Sequence, residues 1–348
     1  MSLYKKLLDA LTLHDIDELG ILPSNPDWKE LPPDSQIYHP IVVIETKLGL
    51  SFECWTVLLK EAHEQYWNAR ENNDTLRIEQ ASRIMIILKP DNVTAMNTRK
   101  KLIKLKVVDP KDELKLLELV FTIPRHAKSG IAWYHRRWLY EIIQERESGN
   151  ILDHIDLESE QSLCTRAATI YPRNYYAWQH RRWILNQITT IDLLHEEYER
   201  TRNWVERNIS DYSGQHYLSL VMTALRNHSA EVDTAKHLEW LEALMLRFPG
   251  HESLWYHRRT CFAIFEATGK ALSLENEHAF IENSAHSAET RRKHTAVQDE
   301  QEFLTKHIIF AYRYGYWLCI KVKDNRKRDV YASKLVDMGS FKVKSDPV

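Results

Sequence analysis

Glycine and proline are scarce in this sequence. The chain has 348 residues but only 9 glycines and 11 prolines, whereas these two residues together make up roughly 12% of an average protein. Folds with many tight turns, such as all-β sandwiches and barrels, need more of both residues. Their scarcity therefore favours a fold made mainly of helices.

Cysteines are also few, and they lie far apart. Cys54, Cys164, Cys261 and Cys319 form no CxxC redox pair or zinc ribbon, and four cysteines in a chain of this length do not make a disulfide scaffold. The histidines and cysteines do not follow the spacing of known zinc motifs. We therefore expect no metal and no cofactor on this chain, and a reducing, cytoplasmic location.

Long hydrophobic runs and a strong net charge are likewise missing. No stretch approaches the ~18 apolar residues of a membrane span, and the first residues, Met-Ser-Leu-Tyr-Lys-Lys, do not lead into the apolar core of a secretory signal. The formal net charge is −2. This balance gives no global electrostatic reason to expect nucleic acid as a partner.

Familiar catalytic motifs are absent from the sequence. It contains no GxxxxGK[ST] phosphate loop, no GxGxxG, no HExxH and no GxSxG. Histidines are numerous, at 17, but His135, His180 and His257 occupy one position of an internal repeat. A residue that recurs with a structural period is more often a packing residue than a ligand, so we interpret these histidines as structural.

An internal repeat organises the chain. Its clearest copy is Pro-Arg-Asn-Tyr-Tyr-Ala-Trp-Gln-His-Arg-Arg at 172–182. Further copies lie at 249–259 and at 124–137, and weaker ones at 90–100 and 211–219. Their anchor positions are 96, 133, 178, 215 and 255, where tryptophan is replaced by Met96 and Gln215 in the two weaker copies.

The repeat predicts a helical hairpin. Proline ends a preceding helix, and an asparagine two residues later is placed to cap the next helix. The segments before the prolines, 76–88, 114–123, 159–170 and 235–248, have apolar residues at helical spacing. Such hairpins cannot bury their apolar faces alone, so we expect them to stack into an all-α solenoid of antiparallel helix pairs.

The recurring tryptophan and arginines are predicted to form the framework of these repeats. Arg181 and Arg182 follow Trp178 by three and four residues, so they share its side of the helix. We expect each guanidinium to stack on tryptophan and to bond carbonyls or carboxylates of a neighbouring repeat. An alternative is that some arginines line a concave anion-binding face. The framework residues are Trp133, Arg136, Arg137, Asn174, Trp178, Arg181, Arg182, Trp255, Arg258 and Arg259.

Composition divides the chain into three regions. Residues 1–40 are expected to be an N-terminal arm, since they contain a cluster of prolines. Residues 41–320 are expected to be the solenoid, interrupted by a polar loop at 268–296. Residues 321–348 are expected to be a closing helix and a frayed tail.

The phrase Pro-x-Asn-Tyr-x-x-Trp-x-x-Arg-Arg resembles the repeat of protein prenyltransferase alpha subunits, over roughly residues 60–320. The two degenerate copies fit a divergent member of that family. The resemblance implies a crescent-shaped, right-handed α–α superhelix that wraps around a beta subunit. It also implies that the beta subunit holds the zinc, the acceptor cysteine and the isoprenoid.

In this family a Lys-Asn-Tyr phrase contributes groups near the diphosphate of the prenyl donor. The matching phrase here is Arg173-Asn174-Tyr175, with arginine keeping the charge of lysine but not its geometry. The resemblance therefore implies that Arg173 and Tyr175 contact the diphosphate, where cations and hydroxyls stabilise the charge of the leaving group. The alternative is that both residues only shape the turn.

The resulting hypothesis is an alpha-type subunit of a heterodimeric protein geranylgeranyltransferase. Its expected partners are a beta subunit of the Rab geranylgeranyltransferase type and protein substrates with C-terminal cysteines, such as Rab or SNARE membrane-traffic proteins. Geranylgeranyl diphosphate would be the shared substrate. A non-enzymatic interaction scaffold is the alternative, and the loss of two anchor tryptophans favours it. An RNA-binding repeat protein is a weaker alternative, because such readers vary the residue that each repeat presents.

Overall fold

The structure is a computed structural model that describes residues 1–230, 232–266 and 272–340. Across these residues it contains sixteen α-helices and one three-stranded sheet, which confirms the prediction of an all-α fold. The chain forms two compact units, Met1–Gln187 and Ile188–Val348. Among the described helices, none combines the length and the apolar character needed to cross a lipid bilayer.

The first unit begins with a small mixed region. Its elements are α1 (Leu3–Leu13), β1 (Glu18–Leu22), α2 (Pro33–Gln36), β2 (Val42–Ile44) and β3 (Lys47–Ser51). Strand β3 lies in the centre of the sheet, parallel to β1 and antiparallel to β2. The expected end of the N-terminal arm at residue 40 therefore falls inside this sheet. Alternate burial of Leu48 and Leu50 on β3 explains why this segment is a strand.

The sheet is fastened to the helices that follow it. The Leu19 amide of β1 donates to the Thr122 hydroxyl at 2.9 Å, and Leu19, Val43 and Leu48 are buried in the core of the first unit. The N-terminal region is thus a packed part of the first unit, extending to residue 51.

Helical hairpins make up the rest of the first unit. The helices are α3 (Phe52–Glu71), α4 (Thr75–Leu88), α5 (Val93–Lys104), α6 (Pro110–Val120), α7 (Gly130–Glu147), α8 (Leu157–Ile170) and α9 (Tyr175–Leu185). The pairs α4–α5, α6–α7 and α8–α9 each contain one anchor position, at 96, 133 and 178. The Pro-x-Asn turns at 90–92 and 172–174 join the two helices within the pairs α4–α5 and α8–α9, as the repeat predicts.

The second unit is also helical. Its helices are α10 (Ile191–Arg207), α11 (Tyr212–Asn227), α12 (Thr234–Arg247), α13 (Glu252–Glu266), α14 (Leu274–His294), α15 (Gln298–Val322) and α16 (Asn325–Asp337). The expected closing helix corresponds to α16, and the part of the tail at 341–348 lies outside the described residues.

The prediction of a loop at 268–296 is wrong for most of its length, because residues 274–294 form α14. The polar composition hid an apolar stripe of Ile281, Ala285 and Ala288, which is buried at helical spacing. Ser273 caps the helix by accepting from the Asn276 amide at 3.3 Å. Residues 268–271 of the expected loop lie outside the described residues.

Candidate functional site

The turn between α8 and α9 is fixed by a buried asparagine. Asn174 is 1% exposed and caps α9 by accepting from the Ala177 amide at 3.2 Å. Its side-chain amide donates to the Ala127 carbonyl at 2.7 Å and to the Ala167 carbonyl at 3.2 Å. Asn174 therefore ties its own hairpin to the segment that precedes α7, a framework role that its position in the repeat had indicated.

The residues on either side of Asn174 are exposed instead. Arg173 has a left-handed backbone conformation, with φ of 60°, and its side chain lies on the surface. Tyr175 is 61% exposed and meets Tyr176 edge to face, with ring centroids 5.4 Å apart. The buried Asn174 thus holds a cation and two phenol groups at the N-terminus of α9, an end that the helix dipole makes favourable for anions.

A small cleft opens beside this turn, between α7 and α9. Its lining includes Tyr134, Arg137, Tyr176 and Gln179, and its volume is about 70 Å³. Pockets that enclose a small ligand on their own span roughly 300–1,000 Å³. At this volume the cleft is too small to enclose a ligand of that size by itself.

The anchor positions are buried in all five copies of the repeat. Trp133 stacks on Phe121 at 4.1 Å between ring centroids, and its indole N–H donates to the Ala127 carbonyl at 2.7 Å. This is the same carbonyl that accepts from Asn174. Met96 and Gln215, which replace tryptophan, are buried as well. The degenerate copies therefore keep the packing position while changing the residue that fills it.

The first arginine of each strong doublet is buried. Arg136 is 1% exposed, and its guanidinium donates to both oxygens of Glu160, with Nε–O distances of 2.9 and 3.1 Å. It also donates to the Leu114 carbonyl at 2.8 Å and to Glu118 at 2.8 Å. Arg136 thereby joins its own hairpin to α8 of the next one, in keeping with the framework interpretation of the repeat.

The carboxylate that receives Arg136 is shared with other side chains. Tyr140 donates to Glu160 at 2.6 Å, and His180, two residues after the next anchor, donates to it at 2.9 Å. One repeat earlier, Glu113 accepts from both Arg99 and His135, the latter at 3.1 Å. We call each such set, an arginine and a glutamate with the histidine or tyrosine that also bonds it, an arginine–glutamate network.

The charges of these networks support each other. Burial would raise the pKa of Glu113, but the charge of Arg99 and the hydrogen bond from His135 lower that pKa to about 2. For Glu160 the opposing burial is again outweighed, and Arg136 and His180 hold its pKa well below the ordinary value. Both glutamates are therefore ionised around neutral pH, and their role is structural.

The second basic residue of each doublet takes a different position. The guanidinium of Arg137 lies 5.3 Å from the ring centre of Trp183, that of Arg259 lies 5.7 Å from Trp317, and Lys100 lies 5.2 Å from Trp138. These cations stack on a tryptophan of the following repeat within their unit. Arg182 is exposed, so it lies on the surface of α9 rather than in the core.

In the second unit, Arg258 belongs to a complete arginine–glutamate network. Arg258 donates to Glu277 at 2.9 and 2.7 Å and to Glu242 at 2.9 Å, and Tyr314 donates to Glu277 at 2.6 Å. In the fourth copy the pattern changes. Leu218 stands at the arginine position, three residues after anchor 215, and His237 stands at the glutamate position, 20 residues before His257.

Sequence reasoning missed this paired change, because the repeat phrase covers only the second helix of each hairpin. The structure places His237 on α12 against His257 on α13, with their Nε2 atoms 2.9 Å apart. A signal was available in the sequence: His180 lies 20 residues after Glu160, and His257 lies 20 residues after His237.

Comparisons with known proteins give a consistent result. The model of the protein prenyltransferase alpha subunit repeat matches residues 157–188 and 235–265. The chain is 30% identical to protein prenyltransferase alpha subunit repeat-containing protein 1 of Danio rerio, over 72% of this chain and 68% of that protein. The Homo sapiens protein of the same name is 29% identical, over 84% of this chain and 85% of its own length. Geranylgeranyl transferase type-2 subunit alpha of Sus scrofa is 28% identical, over 49% of this chain and 31% of that subunit.

Proposed function

Because this chain belongs to the protein prenyltransferase alpha subunit repeat family, we propose that it is the alpha-type subunit of a heterodimeric protein geranylgeranyltransferase. The geranylgeranyl group is proposed from the similarity to a geranylgeranyl transferase type-2 subunit alpha. The proposed partner is a beta subunit of the Rab type, and the proposed acceptors are cytoplasmic membrane-traffic proteins of the Rab or SNARE kind with C-terminal cysteines.

The observation that carries this proposal is the Arg173-Asn174-Tyr175 turn. When the thiolate of an acceptor cysteine attacks C1 of the prenyl donor, the C–O bond breaks and the diphosphate leaves with the bonding electrons. Fixed cations and hydroxyls beside the departing oxygens stabilise that charge. The buried Asn174 holds Arg173 and Tyr175 on the surface at the start of α9, in a position to serve as such groups.

The turn supplies diphosphate contacts rather than a metal site. Zn²⁺ in proteins takes thiolate, imidazole or carboxylate ligands, and the exposed residues Arg173, Tyr175 and Tyr176 offer none of these. We therefore propose that the beta subunit holds the zinc and activates the acceptor thiol. In the same proposal the partner closes the shallow surface beside α9 into a complete site.

An interaction scaffold without enzymatic activity is the alternative function. Its support is the replacement of anchor tryptophans by Met96 and Gln215. Burial of both replacements weakens that support, because the two repeats keep their packing. The two functions differ in what the assembled complex does rather than in the fold.

The decisive experiment is co-expression with a Rab-type beta subunit, followed by size-exclusion chromatography and a prenyl-transfer assay on a protein with C-terminal cysteines. We expect a 1:1 complex that transfers the geranylgeranyl group. The double variant Arg173→Ala/Tyr175→Phe should assemble normally and lose on the order of 10²-fold in the rate of transfer, the size typical of lost leaving-group contacts.

A matched control is Lys115→Ala, which removes an exposed cation from α6, outside the turn. This variant should assemble and turn over like the wild type. A stable complex without transfer activity would support the scaffold instead. An active complex in which the double variant equals the wild type would remove Arg173 and Tyr175 from the site but keep the assignment as a subunit.

A further inference from the structure

Three buried side chains with metal-binding atoms meet between α12 and α13. His237 comes from α12, and His257 and Cys261 come from α13, and each is at most 1% exposed. Their ligand atoms, two imidazole nitrogens and one thiol sulfur, all lie within 4.8 Å of one another. We call this group the His–His–Cys cluster.

The helices give this cluster a suitable geometry. His257 and Cys261 are four residues apart, so they occupy one face of α13 in successive turns. His237 reaches the same point from the neighbouring helix, and its Nε2 atom lies 2.9 Å from that of His257. Two nitrogens bound to one tetrahedral Zn²⁺ at about 2.0–2.1 Å are about 3.4 Å apart. The rings therefore need to separate by only a few tenths of an ångström to admit an ion.

The far sides of both rings are held by neighbouring groups. Tyr198 Oη lies 2.7 Å from His237 Nδ1, and Ser219 Oγ lies 3.4 Å from His257 Nδ1. Hydrogen bonds to the outer nitrogen of an imidazole fix its tautomer and orient the inner nitrogen toward a metal. The two Nε2 atoms are thereby directed at each other, on the side of α13 that carries the Cys261 thiol.

The cluster also lies where the repeat has lost its charged pair. Elsewhere this position holds a glutamate, as at Glu160, and a buried arginine from the preceding repeat neutralises it. Here His237 replaces the glutamate and Leu218 replaces the arginine. The local charge of the framework is therefore removed. Its place is taken by two imidazoles and one thiol, which releases its proton to solvent when it binds a metal as thiolate, and such ligands suit soft or borderline metals.

From this geometry we propose that His237, His257 and Cys261 bind one transition-metal ion of the Zn²⁺ class as a structural site of the second unit. The spacing of these residues along the chain gave no indication of it, so the proposal departs from the expectation that this chain carries no metal. It depends on the contacts of α12 and α13 and not on the proposed role in prenyl transfer.

The test uses the full-length chain, stripped of metal with a chelator and titrated with Co²⁺ as a spectroscopic substitute for Zn²⁺. We expect one equivalent of Co²⁺ to bind, with visible d–d bands and a near-ultraviolet charge-transfer band from a thiolate ligand. Added Zn²⁺ should bleach both signals. Zn²⁺ should also raise the melting temperature of the stripped protein, because a ligand that binds only the folded state stabilises it.

The variants Cys261→Ala and His237→Gln should lose the charge-transfer band and the Zn²⁺-dependent rise in melting temperature. Cys319→Ser is the matched control, because Cys319 is another buried cysteine of the second unit, and it should retain both signals. Circular dichroism of the stripped variants separates loss of binding from loss of fold, and His237→Gln tests the site independently if Cys261→Ala is unfolded. Absence of Co²⁺ binding by the wild type, or an unchanged thiolate band in folded Cys261→Ala, would overturn the proposal.

Discussion

Arginine–glutamate networks join hairpins in both units of this protein, at Arg99, Arg136 and Arg258, but one place in the second unit uses different chemistry at the same repeat position. In the first unit, Arg99 pairs with Glu113 and Arg136 pairs with Glu160, each joined by a histidine of the following helix pair. In the second unit the corresponding place between α12 and α13 holds His237 and His257, which are hydrogen-bonded to each other. The fold of the hairpins is nevertheless the same in both units.

This difference shows that the repeat requires a satisfied polar contact rather than one particular ion pair. A buried carboxylate without its arginine is costly. The change from arginine to Leu218 is therefore compatible with the fold because the glutamate position also became neutral, at His237. Paired replacement preserves the balance of charge, whereas a single replacement breaks it.

The largest expected effect comes from breaking one network of the first unit. Glu160→Ala leaves Arg136 buried without its main partner and should lower the free energy of unfolding by about 3–5 kcal/mol. The double variant Arg136→Leu/Glu160→His copies the pair found in the second unit and should be more stable than Glu160→Ala. Urea denaturation followed by circular dichroism measures both values. A double variant less stable than the single one would contradict the argument from charge balance.

Acidification should lower the free energy of unfolding by less than the loss of a network does. This loss of stability should be greater in the second unit than in the first. Burial lowers the pKa of His307 from 6.5 to about 4, with the charge of Arg291 acting in the same direction. Burial likewise lowers the pKa of His126 in the first unit to about 4. In the unfolded chain these imidazoles bind protons below about pH 6.5, whereas in the folded chain they stay neutral down to about pH 4. The stability that is present above pH 6.5 is therefore lost as the pH falls.

Each such histidine should cost about 1 kcal/mol at about pH 5.5. The second unit should lose more stability, because burial lowers the pKa of His251 and His278 there as well, whereas in the first unit it also lowers the pKa of His180. Hydrogen exchange at about pH 7.5 and 5.5 resolves the units, and His307→Gln should reduce the loss of protection in the second. Equal loss of protection in both units would refute the difference that we expect.

The smallest effect concerns the cations that stack on tryptophan. Arg137→Ala in the first unit and Arg259→Ala in the second remove the contacts with Trp183 and Trp317. Each should lower the free energy of unfolding by about 0.5–1 kcal/mol, the usual size of a partly exposed cation–π contact. A similar loss in both variants would show that this part of the framework is shared, and a loss in only one would extend the difference between the units. Chemical denaturation of the two variants side by side gives the comparison.

Much of the candidate site follows from local sequence. Pro172 and Asn174 predict the turn and the start of α9, because proline and a capping asparagine act within a few residues of chain. The exposure of Arg173 and Tyr175 depends on more than this turn. The hydrogen bonds from Asn174 to the carbonyls of Ala127 and Ala167 hold the turn that carries Arg173 and Tyr175, and only the structure shows these bonds.

The sequence by itself determined the helical hairpins, their period and the recurring residues that fill their interfaces, because proline stops, caps and apolar spacing are short-range effects. The tertiary structure decided which residues meet across helices. It paired Arg136 with Glu160, brought His237 to His257 and Cys261, and turned the polar segment 274–294 into a helix by burying Ile281 and Ala285. These outcomes depend on the charge, volume and burial of side chains distant in the chain, and no local pattern specifies such neighbours.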